Sequence, residues 1–312
     1  MATGISIHVG VNATKAPGLS VQPLVGCEND AEAMRVLARA RNFVAVDGGP
    51  DVPIIREKAT FENVLGKIRL AAEKLVAGDI FLFTFSGHGT RRGADDPAEE
   101  DLKDETLVLH DKLLVDNVLR RRLWPTFKAG VRVVMVSDSC HSGGIAMSVI
   151  DDSESEPETE SSGSGSSAAW ARDGVRRGMS RRGAVPGVQQ GRPQNGFGVR
   201  GVSEAQAQAH FNLLKQFYKE LRESLPSTAP PVPANVLLLA ACQEHETTRD
   251  GLPNGVFTRA LLEVLSSNGT KTYTQLRNSI EQKLQQASAT NHPVLLSVGQ
   301  SAEFADTEAF RI

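Results

Sequence analysis

The sequence predicts an α/β fold whose parallel sheet is covered by helices on both faces, and three observations carry that expectation. Short, near-continuous apolar runs stand at Ile5–Val11, Asp79–Phe85, Val131–Ser137 and Asn235–Cys242. Strands buried on both faces read this way, whereas a half-solvated sheet would alternate apolar with polar. Segments with apolar residues at helical spacing lie between the runs, which is the order of a helix-covered parallel sheet. Finally, 312 residues that are 40% hydrophobic and 23% charged can bury a core, so global disorder is ruled out.

Taken in order, Ile5–Val11 is the first strand, and Asn29–Ala40 places Ala33, Met34, Leu37 and Ala38 on one helical stripe. Val52–Arg56 reads as a short strand. Thr60 is suited to cap a helix reaching Val76, with Val64, Leu65, Ile68, Ala71, Ala72 and Leu75 facing one way. The Asp79 run follows, then a helix over Val115–Leu123, then the Val131 run. Further on, Glu204–Ser224 reads as one helix, Asn235–Cys242 as a buried strand, Phe257–Ser266 and Tyr273–Gln286 as helices, and Val294–Val298 as a last short strand.

Composition breaks sharply once. Asp151–Glu160 carries six acids in ten residues, SSGSGSS follows, and an Arg/Gly-rich stretch runs to about Arg200. Such a segment buries too little to offset the entropy of ordering. Residues 151–202 are therefore expected to form a mobile linker between 1–150 and 203–312. Strands and helices continue in the same order after it, so the linker interrupts one sheet rather than joining two folds.

A net charge of −3 and a pI near 6.2 argue against a dedicated nucleic-acid binder, because neutralising phosphates needs a basic surface. The apolar runs are far shorter than a membrane span, and MATGISIHVG lacks the basic and long apolar parts of a secretory signal. A cytoplasmic monomer that binds neither nucleic acid nor membrane is expected. Cys27, Cys140 and Cys242 are too few and scattered for a disulfide framework or a structural zinc site.

In open parallel sheets ligands bind beyond the carboxyl ends of the strands. Ser86-Gly87-His88-Gly89 follows one run and Asp138-Ser139-Cys140-His141-Ser142-Gly143-Gly144 follows another. An imidazole that takes the proton of a nearby thiol makes a nucleophilic thiolate, so His88 and Cys140 form a candidate catalytic dyad. His88 stands about 50 residues upstream of the cysteine, the spacing known for caspases, although the flanking residues differ from the caspase signature. Most lone cysteines after a strand are inert core, but polar and glycine neighbours set Cys140 apart. The amides of Gly89 and Cys140 are the natural donors to a developing oxyanion. Cys27 and Cys242 read as small buried hydrophobes. The chain holds no G-x-S-x-G elbow and no G-x-x-x-x-G-K-[ST] loop, which weighs against a serine hydrolase or an NTPase.

The segments FTFSGHG and VSDSCHSGG resemble the catalytic motifs of metacaspases and of their bacterial orthocaspase relatives. HVGVN…LVGCENDAEAM, DETLVLHD and LLLAACQEHETTRDGLPNGVFTRALLEVL are similar to further parts of the same family, in the same order. The resemblance implies a caspase-like fold with a mostly parallel six-stranded sheet, a large-subunit-like half over 1–150 and a small-subunit-like half over 203–312. It also implies a cysteine endopeptidase acting on protein or peptide substrates after Arg or Lys, with Asp30 and Asp138 forming an acidic S1 pocket. Strand alternation agrees for Asp138, which leaves its strand on the same side as Cys140. The bland readings are a helix cap for Asp30 and a loop-fixing carboxylate for Asp138.

Self-processing within the linker is expected, since proteolysis concentrates in exposed flexible segments. The candidate sites are Arg172, Arg176, Arg177, Arg181, Arg182, Arg192 and Arg200. Many members of the family need calcium, and here Asp111 and Asp116 are the matching acids, beside a single amide at Asn117. Calcium takes six to eight oxygens, so no required cofactor and activity without added calcium are expected. The acidic run Ala94–Glu105 reads equally as a solvated loop or as a cation site. A catalytically silent caspase-like interaction module stays open as the alternative function.

Overall fold

Side-chain alternation across the sheet explains why its strands read as unbroken apolar runs. Along β4 (Ile80–Ser86), Phe81, Phe83 and Phe85 enter one core, while Ile80 and Leu82 enter the core on the opposite face. β8 (Arg132–Asp138) divides the same way, with Val133 and Met135 against Val134 and Val136. In β9 (Asn235–Ala240), Val236 and Leu238 oppose Leu237 and Leu239. Each such side chain contributes roughly 1.5–3 kcal/mol of burial, so a strand with two buried faces is mostly apolar, and the buried polar pair His8 and Thr84 meets in a hydrogen bond between neighbouring strands.

The computed structural model describes residues 2–93, 103–140, 198–243, 245–267, 269–298 and 302–312. The main sheet has the order β10-β9-β8-β4-β1-β2, with β1 at Gly4–Gly10, β2 at Val44–Ala45 and β10 at Val294–Val298; β3 (Ile54–Ile55) pairs further along β1. β10 runs antiparallel to β9, and the other pairings are parallel. This is the mostly parallel six-stranded arrangement expected, with the two-residue β3 added.

Helices cover both faces. α1 (Cys27–Ala40), α5 (Val256–Ser266) and α6 (Tyr273–Gln286) bury Met34, Leu261, Leu276 and Ile280 on one side. α2 (Phe61–Lys74), α3 (Glu204–Leu213) and α4 (Lys215–Glu223) bury Phe61, Leu65, Ile68, Phe211 and Tyr218 on the other. Thr60 caps α2 as expected, its side chain accepting the Asn63 N–H. Among the described residues no helix is long and apolar enough to cross a membrane.

Several sequence expectations are corrected. A second sheet, β5-β6-β7, is formed by Gly89–Gly93, Lys103–Val108 and Leu113–Val115. The acidic loop therefore ends before Lys103, while 94–102 lies outside the described residues. Val115 closes a strand, and short helical turns replace the single helix expected over Val115–Leu123. Glu204–Ser224 is two helices that break at Leu214. Of the expected linker, 151–197 lies outside the described residues. Its last residues pack into the fold instead: Arg200 and Val202 are buried, and Gly89 bridges to Gly201.

Candidate active site

Strand register assembles the site. Ser86 of β4 pairs with Asp138 of β8, so His88 and Cys140 each lie two residues beyond one matched row of adjacent parallel strands. Gly10 at the end of β1 pairs with Ser86, and α1 returns from there to place Asp30 in its first turn. Gly89 must come very close to the nucleophile's backbone: a Cβ there would stand 2.1 Å from the carbonyl oxygen of Cys140. Glycine is the residue that permits such an approach.

The carbonyl oxygen of Arg200 accepts hydrogen bonds from Gly89 N–H at 3.0 Å and from Cys140 N–H at 3.1 Å. These are the two amides that sequence reasoning singled out. The Cys140 sulfur lies beside the next residue, 3.5 Å from where a Cβ on Gly201 would be. The Gly201 backbone also lies against His88. The Arg200–Gly201 peptide bond is thus held between two amide donors, a thiol and an imidazole. The flanking chain continues the docking. Arg200 N–H donates to Thr248 C=O at 3.1 Å, Asp250 N–H donates to Gly198 C=O at 3.0 Å, and Val199 bridges Arg249 antiparallel. On the far side Val202 N–H donates to Gly89 C=O at 3.1 Å, and Thr90 Oγ1 donates to Val202 C=O at 2.9 Å.

The Arg200 side chain fills an acidic pocket and is 0% exposed. Nη2 lies 2.7 Å from Asp30 Oδ2 and 3.0 Å from Asp250 Oδ1. Nη1 lies 2.8 Å from Asp138 Oδ2 and donates to Ser86 Oγ at 2.7 Å. Asp30 and Asp138, expected as the pocket, are both buried in its wall. Each is held by other partners: Asn254 and Gly255 N–H donate to Asp30 Oδ1, and the Thr258 hydroxyl and N–H donate to Asp138 Oδ2. Asp250 is a third carboxylate that sequence reasoning missed; it is anchored by the amides of Val25 and Gly26. Gly255 was missed as a pocket residue too. A Cβ there would stand 2.3 Å from Arg200 Nη2 and 2.5 Å from its Cζ.

Electrostatics follow from closure. Cys140 is 0% and His88 4% exposed beneath the chain's own segment. Burial pushes the Cys140 thiol well above its ordinary range and lowers His88, so the pair is neutral here. The His88 Nε2 faces Gln22 C=O at 3.0 Å, which fixes Nε2 as the protonated nitrogen and leaves Nδ1 to accept a proton. Nδ1 is buried with no hydrogen-bond partner. Burial raises Asp138, opposed by the Arg200 guanidinium. Cys27 packs under the pocket with its thiol pushed up to about 12 by burial.

The remaining candidates lie elsewhere. Asp111 Oδ1 accepts the Phe61 N–H at the start of α2, and Oδ2 holds Lys112 Nζ at 2.9 Å. Asp116 is buried, its Oδ1 accepting the Asn117 N–H. Among the described residues no three His, Cys, Asp or Glu side chains group closely enough to hold a metal ion. Asp111 and Asp116 are not part of such a group: Asp111 holds the start of α2, and Asp116 holds the Asn117 amide. Arg172, Arg176, Arg177, Arg181, Arg182 and Arg192 lie outside the described residues.

Comparison with known proteins agrees with this architecture. The caspase-domain family, peptidase C14, matches residues 8–305. Metacaspase-9 of Arabidopsis thaliana is 28% identical over 299 residues, covering 90% of both chains. Metacaspase-1 of Schizosaccharomyces pombe is 26% identical over 276 residues, which is 84% of this chain and 60% of that protein. Among solved structures, protein GSU0716 from Geobacter sulfurreducens superposes with a TM-score of 0.71 at 26% identity and covers 99% of both chains.

Proposed function

The chain belongs to the caspase-domain peptidase family, and from that premise we propose that it is a cysteine endopeptidase cutting after arginine or lysine, with its own Arg200–Gly201 bond as a substrate. The observation that carries the reading is the Arg200 residue itself. Its guanidinium sits among Asp30, Asp138 and Asp250 while its carbonyl oxygen accepts from Gly89 and Cys140 amides. Three carboxylates around one cation match a basic P1 side chain.

The mechanism follows from the same contacts. Cys140 gives its proton to His88 Nδ1 as the sulfur bonds to the Arg200 carbonyl carbon. Negative charge develops on the carbonyl oxygen and is met by two amides already aimed at it; losing one such donor costs roughly 3–4 kcal/mol in transition states of this kind. The C–N bond then breaks, and His88 returns the proton to the Gly201 nitrogen. Water, deprotonated by His88, cleaves the thioester, releasing the Arg200 carboxylate and restoring the thiol. The Gln22 carbonyl acts through His88, as a positioning group.

A peptide panel that varies P1 alone tests the specificity. Arginine should be cut best, lysine also, and uncharged or acidic residues at least about a hundredfold more slowly, because they leave buried carboxylates unpaired. Asp30→Asn and Asp138→Asn should each depress cleavage of the basic peptides. Equal cleavage after aspartate would overturn the pocket.

Two further outcomes are expected. The reactive form needs His88 neutral, and burial lowers its pKa. The acid limb of self-cleavage should therefore be centred below pH 6.5, the point at which an ordinary histidine is half protonated. The raised thiol extends the neutral pair on the alkaline side. An acid limb centred above 6.5 in a pH series of self-cleavage rates would contradict this. Self-cleavage should also proceed after exhaustive dialysis against excess chelator; loss of activity restored by calcium alone would reverse that expectation.

One relative, Inactive metacaspase-4 of Trypanosoma brucei brucei, is 32% identical over 149 residues, 45% of this chain and 40% of that protein. The silent-module alternative loses ground here because thiol, imidazole and both amides face a docked peptide bond.

A further inference from the structure

We infer that cutting the Arg200–Gly201 bond does not by itself free the active site: the new carboxyl-terminal arginine stays in the pocket as a tethered product inhibitor, and turnover of other substrates begins when that end is trimmed or displaced. The inference rests on the reading that this bond is a substrate.

The contacts that hold Arg200 lie on the acyl side of the bond and survive its hydrolysis. They are the four side-chain partners of the guanidinium, the Arg200 N–H on Thr248 C=O, the Asp250 N–H on Gly198 C=O and the Val199–Arg249 bridge. Hydrolysis turns the carbonyl oxygen into a carboxylate. The amides of Gly89 and Cys140 that faced the one then face the other, and a charged acceptor makes the stronger hydrogen bond. If the arginine leaves, Asp30, Asp138 and Asp250 lose the cation between them, all three being buried. Departure is therefore opposed unless another arginine takes the place.

Covalent connectivity adds to this. The fragment that ends at Arg200 is the fragment that carries Asp30, His88, Asp138 and Cys140, so the inhibitor cannot diffuse from its own site. Rebinding of a covalently attached end is intramolecular, so it does not weaken on dilution. On the other side, Val202 stays bonded to Gly89 and Thr90, so the new amino terminus does not pull the site open. The ligand class this site takes is a peptide with a free carboxyl-terminal arginine.

The test uses the self-cleaved two-piece enzyme with a fluorogenic Arg-P1 peptide. Carboxypeptidase B removes terminal arginine, and mass spectrometry follows its loss from the large fragment. Activity is expected to rise about tenfold in step with that loss. The peptide Phe-Gly-Val-Arg with a free carboxylate should then inhibit the trimmed enzyme competitively, and Phe-Gly-Val should not. An arginine that resists carboxypeptidase in the native enzyme but is lost after denaturation also supports occupancy. If the arginine is removed as fast as from a free peptide and activity stays the same, the inference is overturned while the substrate reading stands. A chain that is never cut after Arg200 overturns both.

Discussion

Cys140→Ala is expected to leave a folded, uncut chain whose peptide hydrolysis falls by about a thousandfold or more. The sulfur carries the covalent step. Its contacts in the fold are modest: it accepts the Thr248 N–H at 3.3 Å and faces Thr248 C=O at 3.6 Å. Alanine is smaller and keeps the Cys140 N–H in place, so Arg200 should still dock. His88→Ala should cost nearly as much, and the double variant little more, because groups that act as a unit are lost together. Fluorogenic assays alongside thermal melts check this. Residual activity above about a tenth of wild type in either folded variant would remove the dyad from the mechanism.

Gly255→Ala is the second large effect, and it separates the pocket from the chemistry. The backbone of Gly255 has φ −57° and ψ 157°, a region alanine adopts freely, so α5 should form as before. The added methyl would stand 2.3 Å from Arg200 Nη2 and 2.5 Å from Cζ, where no atom can sit. The guanidinium must then leave its carboxylates, at a cost of several kcal/mol. Cleavage of Arg-P1 peptides should fall by about a hundredfold or more in kcat/KM, with self-cleavage slowed alike. A circular-dichroism spectrum and melt matching wild type would localise the loss to the pocket. Full activity would mean that the buried arginine does not mark the substrate's path.

The catalytic half of this picture was legible because it lies at strand ends. Continuous apolar runs placed β4 and β8, and the loops at their carboxyl ends open with short, glycine-flanked motifs, so His88, Gly89, Asp138 and Cys140 could be named as neighbours. Asp250 was not legible, since it lies beyond the end of β9 in a loop whose other acids and amides look equally suitable. Its role depends on the Val25 and Gly26 amides more than two hundred residues earlier in the chain. Gln22 acts through a carbonyl, which every residue has. β5 and β6 escaped notice because GTRRG and KDETLV lack the apolar runs that marked the main sheet. Arg200 was read as linker because Gly198, Val199 and Gly201 bury little on their own. Their order comes from an acidic pocket and a strand edge distant in sequence, which local composition cannot display.

The most direct test is intact-mass spectrometry of the purified chain, with amino-terminal sequencing of the smaller piece. Self-cleavage at this bond predicts fragments 1–200 and 201–312, the second beginning at Gly201, in wild type and not in Cys140→Ala. A wild-type chain that stays whole, one cut with its Arg200–Gly201 bond intact, or the same cut in the Cys140→Ala chain would contradict it.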